Sequence, residues 1–230
     1  MSDDARQLPL DLPHAPSFAS EDFLSATSNR DALNAIALWP QWAGGMLLLL
    51  GPQGAGKSHL AAIWAQRARA RTVEAAWLTQ ARVGDLAAGQ AILVENADLI
   101  GANEAALFHL LNISSGSGAD LLLTARRQPD FWGLATPDLV SRLRLAPSVM
   151  LQEPDDELTR AVLFKLFNDR QLYVEPSIIA YIAQRIERSL SAARAIVAAL
   201  DHEALARARP VTRAMAAQLL RALSEEGEAP

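Results

Sequence analysis

The 230-residue sequence has no cysteine, which excludes a disulfide framework and thiolate chemistry and fits a reducing compartment. Histidine is scarce: His14, His59, His109 and His202 are scattered, and no two stand at a metal-binding spacing, so a metal held by side chains alone is not expected. There is no G-x-S-x-G elbow and no evident nucleophile with a base beside it. The longest apolar run, GGMLLLLG, is far too short to cross a bilayer, and the acidic start lacks the basic-then-apolar order of a secretion signal. Positive charge is not in excess either. The 21 basic residues against 26 acidic ones leave a formal net charge of -5, which argues against a chain whose main work is coating nucleic acid. These absences predict a soluble, cytoplasmic protein with no membrane partner.

What the chain does have is apolar content. Half of it is hydrophobic, and this length can bury a substantial core as one large domain or two small ones. Met46 to Leu50 is a short apolar run ended by glycine and reads as a buried strand. GPQGAGKSHLAAIWAQRARA then switches to helical spacing, with Leu60, Ile63 and Trp64 on one side. Further strands are expected at 72–78 (TVEAAWL), 91–98 (AILVENAD), 119–127 (ADLLLTARR) and from 148 (SVMLQEP). Helices are expected from Gln80, in NEAALFHLLN (103–112) and in TPDLVSRLRLAP. Strands that alternate with helices and are apolar almost throughout predict an α/β fold with a five-stranded parallel sheet covered on both faces. From Asp155 only helices are expected, at about 155–169, 176–187, 190–206 and 212–223, each opened by an Asp, Ser, Pro or Thr signal. The predicted organisation is an extended segment at 1–16, an α/β domain at 17–153, a four-helix subdomain at 154–223 and a solvated acidic tail at 224–230.

GPQGAGKS, residues Gly51, Pro52, Gln53, Gly54, Ala55, Gly56, Lys57 and Ser58, matches G-x-x-x-x-G-K-[ST] at every fixed position, between a strand and a helix. Glycines let backbone N–H groups close around an anion, the following helix adds the positive end of its dipole, and Lys57 reaches the terminal phosphates. Ser58 would hold magnesium. Phosphate-loop enzymes place an acid after an apolar strand for the magnesium and a second acid beside it to activate water. Here the pair is Glu95 and Asn96. Glu95 serves the first role; Asn96 has no usable basicity, although its amide can orient a water. Asp98 lies two residues on as a substitute base. Firm nucleotide binding with slow hydrolysis is expected.

GKSHL with His59 after the serine, FASEDFLSATSNRDAL ahead of the first strand, and LLLTARRQP together resemble the AAA+ ATPases, within them the branch of the bacterial replication initiator DnaA. The resemblance runs over about residues 17–223. It implies ADP or ATP with Mg2+ as ligands, Phe23 and Asn29 near the adenine, and Thr124 as a sensor of the γ-phosphate. It also implies Arg142, in LVSRL, as an arginine finger aimed at a neighbouring subunit's nucleotide. Arg194, in SLSAARAIVAALD, becomes a second sensor on a helical lid. Two departures from DnaA stand out: Asn96 replaces the second acid, and the sequence reads as ending without the basic helix-turn-helix that reads DNA, so no sequence-specific DNA binding is expected. Both are similar to the Hda family of DnaA-homologous regulators, which trigger hydrolysis of ATP held by DnaA when docked on the sliding clamp.

One segment remains, RQLPLDLPH, with Leu8, Leu10 and Leu12 at every second position behind Gln7. The alternation suits an edge strand or arm packed on its own domain, and equally a peptide presented to another protein's groove. The Hda resemblance implies the latter, a clamp-binding peptide of the form Q-L-x-L-x-L. The implied partners are DnaA and the β subunit sliding clamp of DNA polymerase III, with a homodimer left open. Two rivals stand beside this reading: a self-sufficient ATPase such as a helicase loader, and an adaptor that recruits DnaA without promoting hydrolysis.

Overall fold

The computed structural model describes residues 23–88 and 90–227, and the side chains of 224–227 are not among them. The Gln7, Leu8, Leu10 and Leu12 row lies outside the described residues. Two compact units divide between Glu153 and Pro154.

The first unit is built on strands β1 (Met46–Leu50), β2 (Arg71–Glu74), β3 (Ala91–Glu95), β4 (Asp120–Ala125) and β5 (Ser148–Met150). All neighbours pair in parallel, in the order β2-β3-β4-β1-β5. The inner strands β1, β3 and β4 are apolar on both faces because both faces are covered. Leu47 and Leu49 of β1, Leu93 of β3 and Leu122 of β4 pack with α1 (Arg30–Ala37) and α2 (Lys57–Ala68). Leu48, Leu50, Ile92, Val94, Leu121 and Leu123 point the other way, onto α3 (Gln80–Ala87), α4 (Glu104–Ser117) and α5 (Pro137–Leu145). On the α2 face, Trp64 is fully buried, stacked on Trp42 at 5.2 Å and met edge-on by Trp39 at 6.2 Å. That cluster holds α2 against the sheet and so fixes the direction in which its N-terminus points.

Four expected strands are shorter than their sequence runs: β4 keeps Asp120–Ala125 of 119–127, β5 stops at Met150, and β2 and β3 end early together. β2 ends at Glu74 instead of running to Leu78, and residues 75–77 form a 3-10 turn that leaves Trp77 exposed. β3 ends at Glu95, because Asn96 adopts left-handed dihedrals (φ 53°, ψ 47°) and starts another 3-10 turn. The two endings share one cause: Glu74 pairs with Glu95 as the last rung of the β2–β3 ladder, and the turn at Asn96 removes the next partner.

The second unit carries α6 (Asp156–Asp169), α7 (Pro176–Ala183), α8 (Leu190–Arg207) and α9 (Arg213–Gly227). Asp155 and Ser189 cap α6 and α8 by accepting from the N–H groups of Leu158 (2.7 Å) and Ala192 (3.0 Å), and proline opens α7. Phe167, Ile182, Ile196, Val197, Leu200 and Ala216 form its core. α7 stops at Ala183, short of the expected 187, and α9 runs to Gly227, past the expected 223. No helix among the described residues is long and apolar enough to cross a membrane.

Candidate nucleotide-binding site

The loop from Gly51 to Gly56 joins the carboxyl end of β1 to the N-terminus of α2. Gly51 has φ +152°, and a Cβ there would stand 2.4 Å from the Leu151 carbonyl oxygen, so only glycine fits. Gly54 (φ +76°) and Gly56 (φ +104°) take left-handed values and turn the chain into α2. Gly56 caps α2 without a side chain, which leaves the first-turn N–H groups directed at whatever fills the loop. Pro52 and Gln53 form its outer turn, while Ala55 is buried against α1 and α2. Lys57 is buried, and its Nζ donates to the carbonyls of Gly51 (2.7 Å) and Pro52 (2.8 Å). Burial holds its ammonium below the ordinary lysine range; Arg126 pushes the same way, while Asp98 and Glu95 oppose. The lysine thus folds onto its own loop, over the ground that phosphate oxygens would take.

A chain of hydrogen bonds forms the acidic side. Ser58 Oγ donates to Glu95 Oε2 at 2.8 Å, and Thr124 Oγ1 lies 3.5 Å from the same oxygen. The Asn96 N–H donates to Thr124 Oγ1 at 3.0 Å, and the Asn96 Nδ2 donates to Glu74 Oε2 at 2.9 Å. Burial raises the Glu95 carboxyl above its ordinary value; the Glu74 charge adds to this, and the two hydroxyls and Lys57 work against it. Asp98 Oδ1 is buried with no partner among the described residues. These features fit a nucleotide with its magnesium: a loop turned by left-handed glycines onto the open N-terminus of α2, an orphaned acidic oxygen, and hard oxygen donors in Ser58 and Glu95. Among the described residues no group of three or more His, Asp or Glu side chains is placed to hold a metal ion, so magnesium here would share its ligands with phosphate and water.

The other expected residues divide into three places. Phe23 meets the His59 ring edge-on at 5.4 Å, beside the first turn of α2. Asn29 is buried, and both ends of its amide serve its own loop: Oδ1 accepts from the Ala26 N–H and Nδ2 donates to the Leu24 carbonyl, each at 2.8 Å. Arg142, exposed on α5, lies 5.2 Å over the Phe108 ring and borders a cavity of about 340 Å³ together with Met46 and Leu121. These two residues stand at the start of β1 and β4, so Arg142 sits at the opposite end of the sheet from the phosphate loop. Arg194 lies on α8 in the second unit. Sequence reasoning did not single out Glu74 or Arg126. Both follow from strand order alone, since β2 ends beside β3 and β4 ends beside β1.

A parallel sheet with a phosphate loop after β1, a polar chain at the ends of β2, β3 and β4, and a separate helical unit define an AAA+ fold. In sequence the chain is 27% identical over 214 residues to the chromosomal replication initiator protein DnaA of Herpetosiphon aurantiacus, covering 80% of this chain and 45% of that protein. In structure it matches domain III of the Thermotoga maritima replication initiation protein DnaA with a TM-score of 0.75 at 19% identity, covering 91% of this chain and 98% of that one. The AMPPCP-bound DnaA from Aquifex aeolicus matches with a TM-score of 0.64 at 18% identity, over 77% of this chain and 63% of that one. The chain spans about half the length of the curated relatives it matches. No family model matches it.

Proposed function

We propose that this protein is a nucleotide-holding regulator of bacterial replication initiation which, together with the DNA-loaded sliding clamp of DNA polymerase III, stimulates hydrolysis of ATP held by DnaA. Its own site takes ADP or ATP. Gly51, Pro52, Gln53, Gly54, Ala55, Gly56 and Lys57 wrap the phosphates, with His59 and Phe23 toward the base and Asn29 holding the segment that carries Phe23. Ser58 and Glu95 hold Mg2+, Thr124 senses the γ-phosphate, and Arg194 acts as the second sensor. The likeness to DnaA, one of whose solved structures carries AMPPCP, supports an adenine nucleotide.

The observation that carries the regulatory reading is the place of Arg142. A five-residue strand spans about 17 Å, more than an arginine side chain reaches, and β1 lies between Arg142 and the chain's own phosphate loop. An arginine at that end of the sheet serves a neighbour's nucleotide or none. In trans it would stabilise charge developing on the transferred phosphoryl group, a contribution on the order of 10³ to 10⁵ in rate. Clamp docking falls to Gln7, Leu8, Leu10 and Leu12, as an extended peptide with alternate side chains in pockets.

The test mixes the protein with ATP-loaded DnaA, clamp and DNA, and follows loss of bound ATP. The parent protein is expected to accelerate it, whereas Arg142→Ala leaves DnaA at its own rate while still binding nucleotide itself. Gln7→Ala and Leu10→Ala are expected to lose both clamp affinity and stimulation. Undiminished stimulation by Arg142→Ala overturns the finger assignment, and complexes that form without changing the ATP lifetime select an adaptor instead.

A further inference from the structure

The position directly after Glu95, the last residue of β3, is where a water-activating acid is expected, and this chain has Asn96 there. The structure nonetheless puts a carboxylate beside it. Glu74 closes β2 as Glu95 closes β3, and the two are direct partners in the parallel ladder. Register partners on neighbouring strands project from the same face, about 5 Å apart. Glu74 is therefore carried to the side of the sheet on which Glu95 meets Ser58 and Thr124.

Asn96 then fixes where that carboxylate sits. Its left-handed backbone, a conformation asparagine tolerates better than most residues, turns the chain at the strand end. Its N–H is tied to Thr124 at 3.0 Å, and its amide reaches across to Glu74 Oε2 at 2.9 Å. Only the NH2 end of an amide can face a carboxylate, so the contact has one sense. Among the described residues nothing donates to the other oxygen of Glu74, Oε1, and the residue is only half-buried. A carboxylate anchored by one oxygen and open at the other, one strand over from the magnesium-side acid, has an oxygen free to accept from a water.

We propose that Glu74 supplies the proton-accepting carboxylate for ATP hydrolysis at this chain's own site, with Asn96 as its positioning residue. The acid comes from β2 and the amide that orients it from β3. In the step, a water oxygen bonds to the γ-phosphorus as Glu74 takes one of its protons. The bond from γ-phosphorus to the β–γ bridging oxygen breaks with its electrons leaving on ADP, and Glu74 passes its proton to solvent. The site then turns over ATP on its own instead of holding nucleotide as a passive ligand. The inference rests on the nucleotide reading above but not on Arg142 or on DnaA.

Glu74→Gln tests it, since the amide keeps the size of the side chain. Two quantities are read on the purified protein: affinity for a fluorescent ATP analogue in Mg2+, and ATP cleavage in a single turnover. The nucleotide extracted from the protein after incubation with ATP is identified as well. Glu74→Gln is expected to bind the analogue within about threefold of the parent, to cleave ATP at least about 100-fold more slowly, and to yield ATP where the parent yields ADP. Glu74→Asp is expected to recover part of the rate, and Asn96→Ala to lower the rate about tenfold without changing affinity. Cleavage by Glu74→Gln at the parent's rate, or a parent protein that binds ATP and never cleaves it, overturns the proposal. A parent that binds no nucleotide at all overturns the reading beneath it.

Discussion

At the scale of single residues, Glu95 carries the clearest electrostatic tension. It is pulled out of water next to a second carboxylate, and the hydroxyls of Ser58 and Thr124 with Lys57 only partly offset this. A carboxyl whose folded pKa lies above its unfolded one favours folding in its protonated form. That contribution is complete below the ordinary glutamate range and is lost as pH rises through the folded value. Glu95→Gln removes the penalty. In the absence of nucleotide and magnesium, the variant is expected to melt above the parent at neutral pH, with the gap closing as pH falls through the folded value and gone below about 4.3, the ordinary glutamate value. With Mg2+ and ATP the order reverses, because the amide is a poorer ligand for a hard cation. Thermal melts across pH with and without Mg-ATP check both halves. A gap that stays constant with pH removes the burial of this charge as its cause.

At the scale of elements, the segment leading into α1 depends on one buried amide. Asn29 ties the Leu24 carbonyl to the Ala26 N–H, and the same stretch carries Phe23 to the His59 ring. Asn29→Ala leaves two backbone groups without their partner at a buried site, a loss of about 1–3 kcal/mol. The expected outcome is a lower denaturant midpoint together with weaker adenine nucleotide binding; a melt like the parent's would deny Asn29 this organising part. The resemblance set Asn29 near the base, and its hydrogen bonds show how it would act there, through the backbone of its own loop. Legibility follows the same division. The phosphate loop was plain in the sequence because its chemistry is local: three glycines, Lys57 and Ser58 within eight positions. The inner strands β1, β3 and β4 were plain because both of their faces are apolar. The ends of β2 and β3 were not, because Ala75 and Ala76 suit a strand as well as a turn, and what ends the ladder is the conformation of a residue on the neighbouring strand. Glu74 was hidden for that reason: its meaning comes from the register with Glu95, which periodicity in one strand does not contain. Arg126 is the same case at the end of β4.

At the scale of the whole molecule, ligand and fold are linked by mass action. A site whose lysine folds back on its own loop's carbonyls and whose Asp98 oxygen lacks a partner has polar groups that a polyanion and its cation can engage on binding. A ligand that binds only the folded chain at 100 times its Kd adds about 2.7 kcal/mol of stability. For a chain of this size, that raises the thermal midpoint by roughly 5–10 °C. ADP and ATP with Mg2+ are expected to produce such a shift, while GTP at the same concentration is expected to produce less if Phe23 and His59 face the base. Lys57→Ala is expected to abolish the shift. Arg142→Ala is expected to keep it whole, since Arg142 stands at the far end of the sheet from the loop. Arg194→Ala decides whether the second unit takes part: a smaller shift makes this arginine a ligand contact, and an unchanged one removes it. Because the two units have separate cores, a transition in two steps, with nucleotide moving only the first unit's step, would also place the binding energy within residues 23–153 alone.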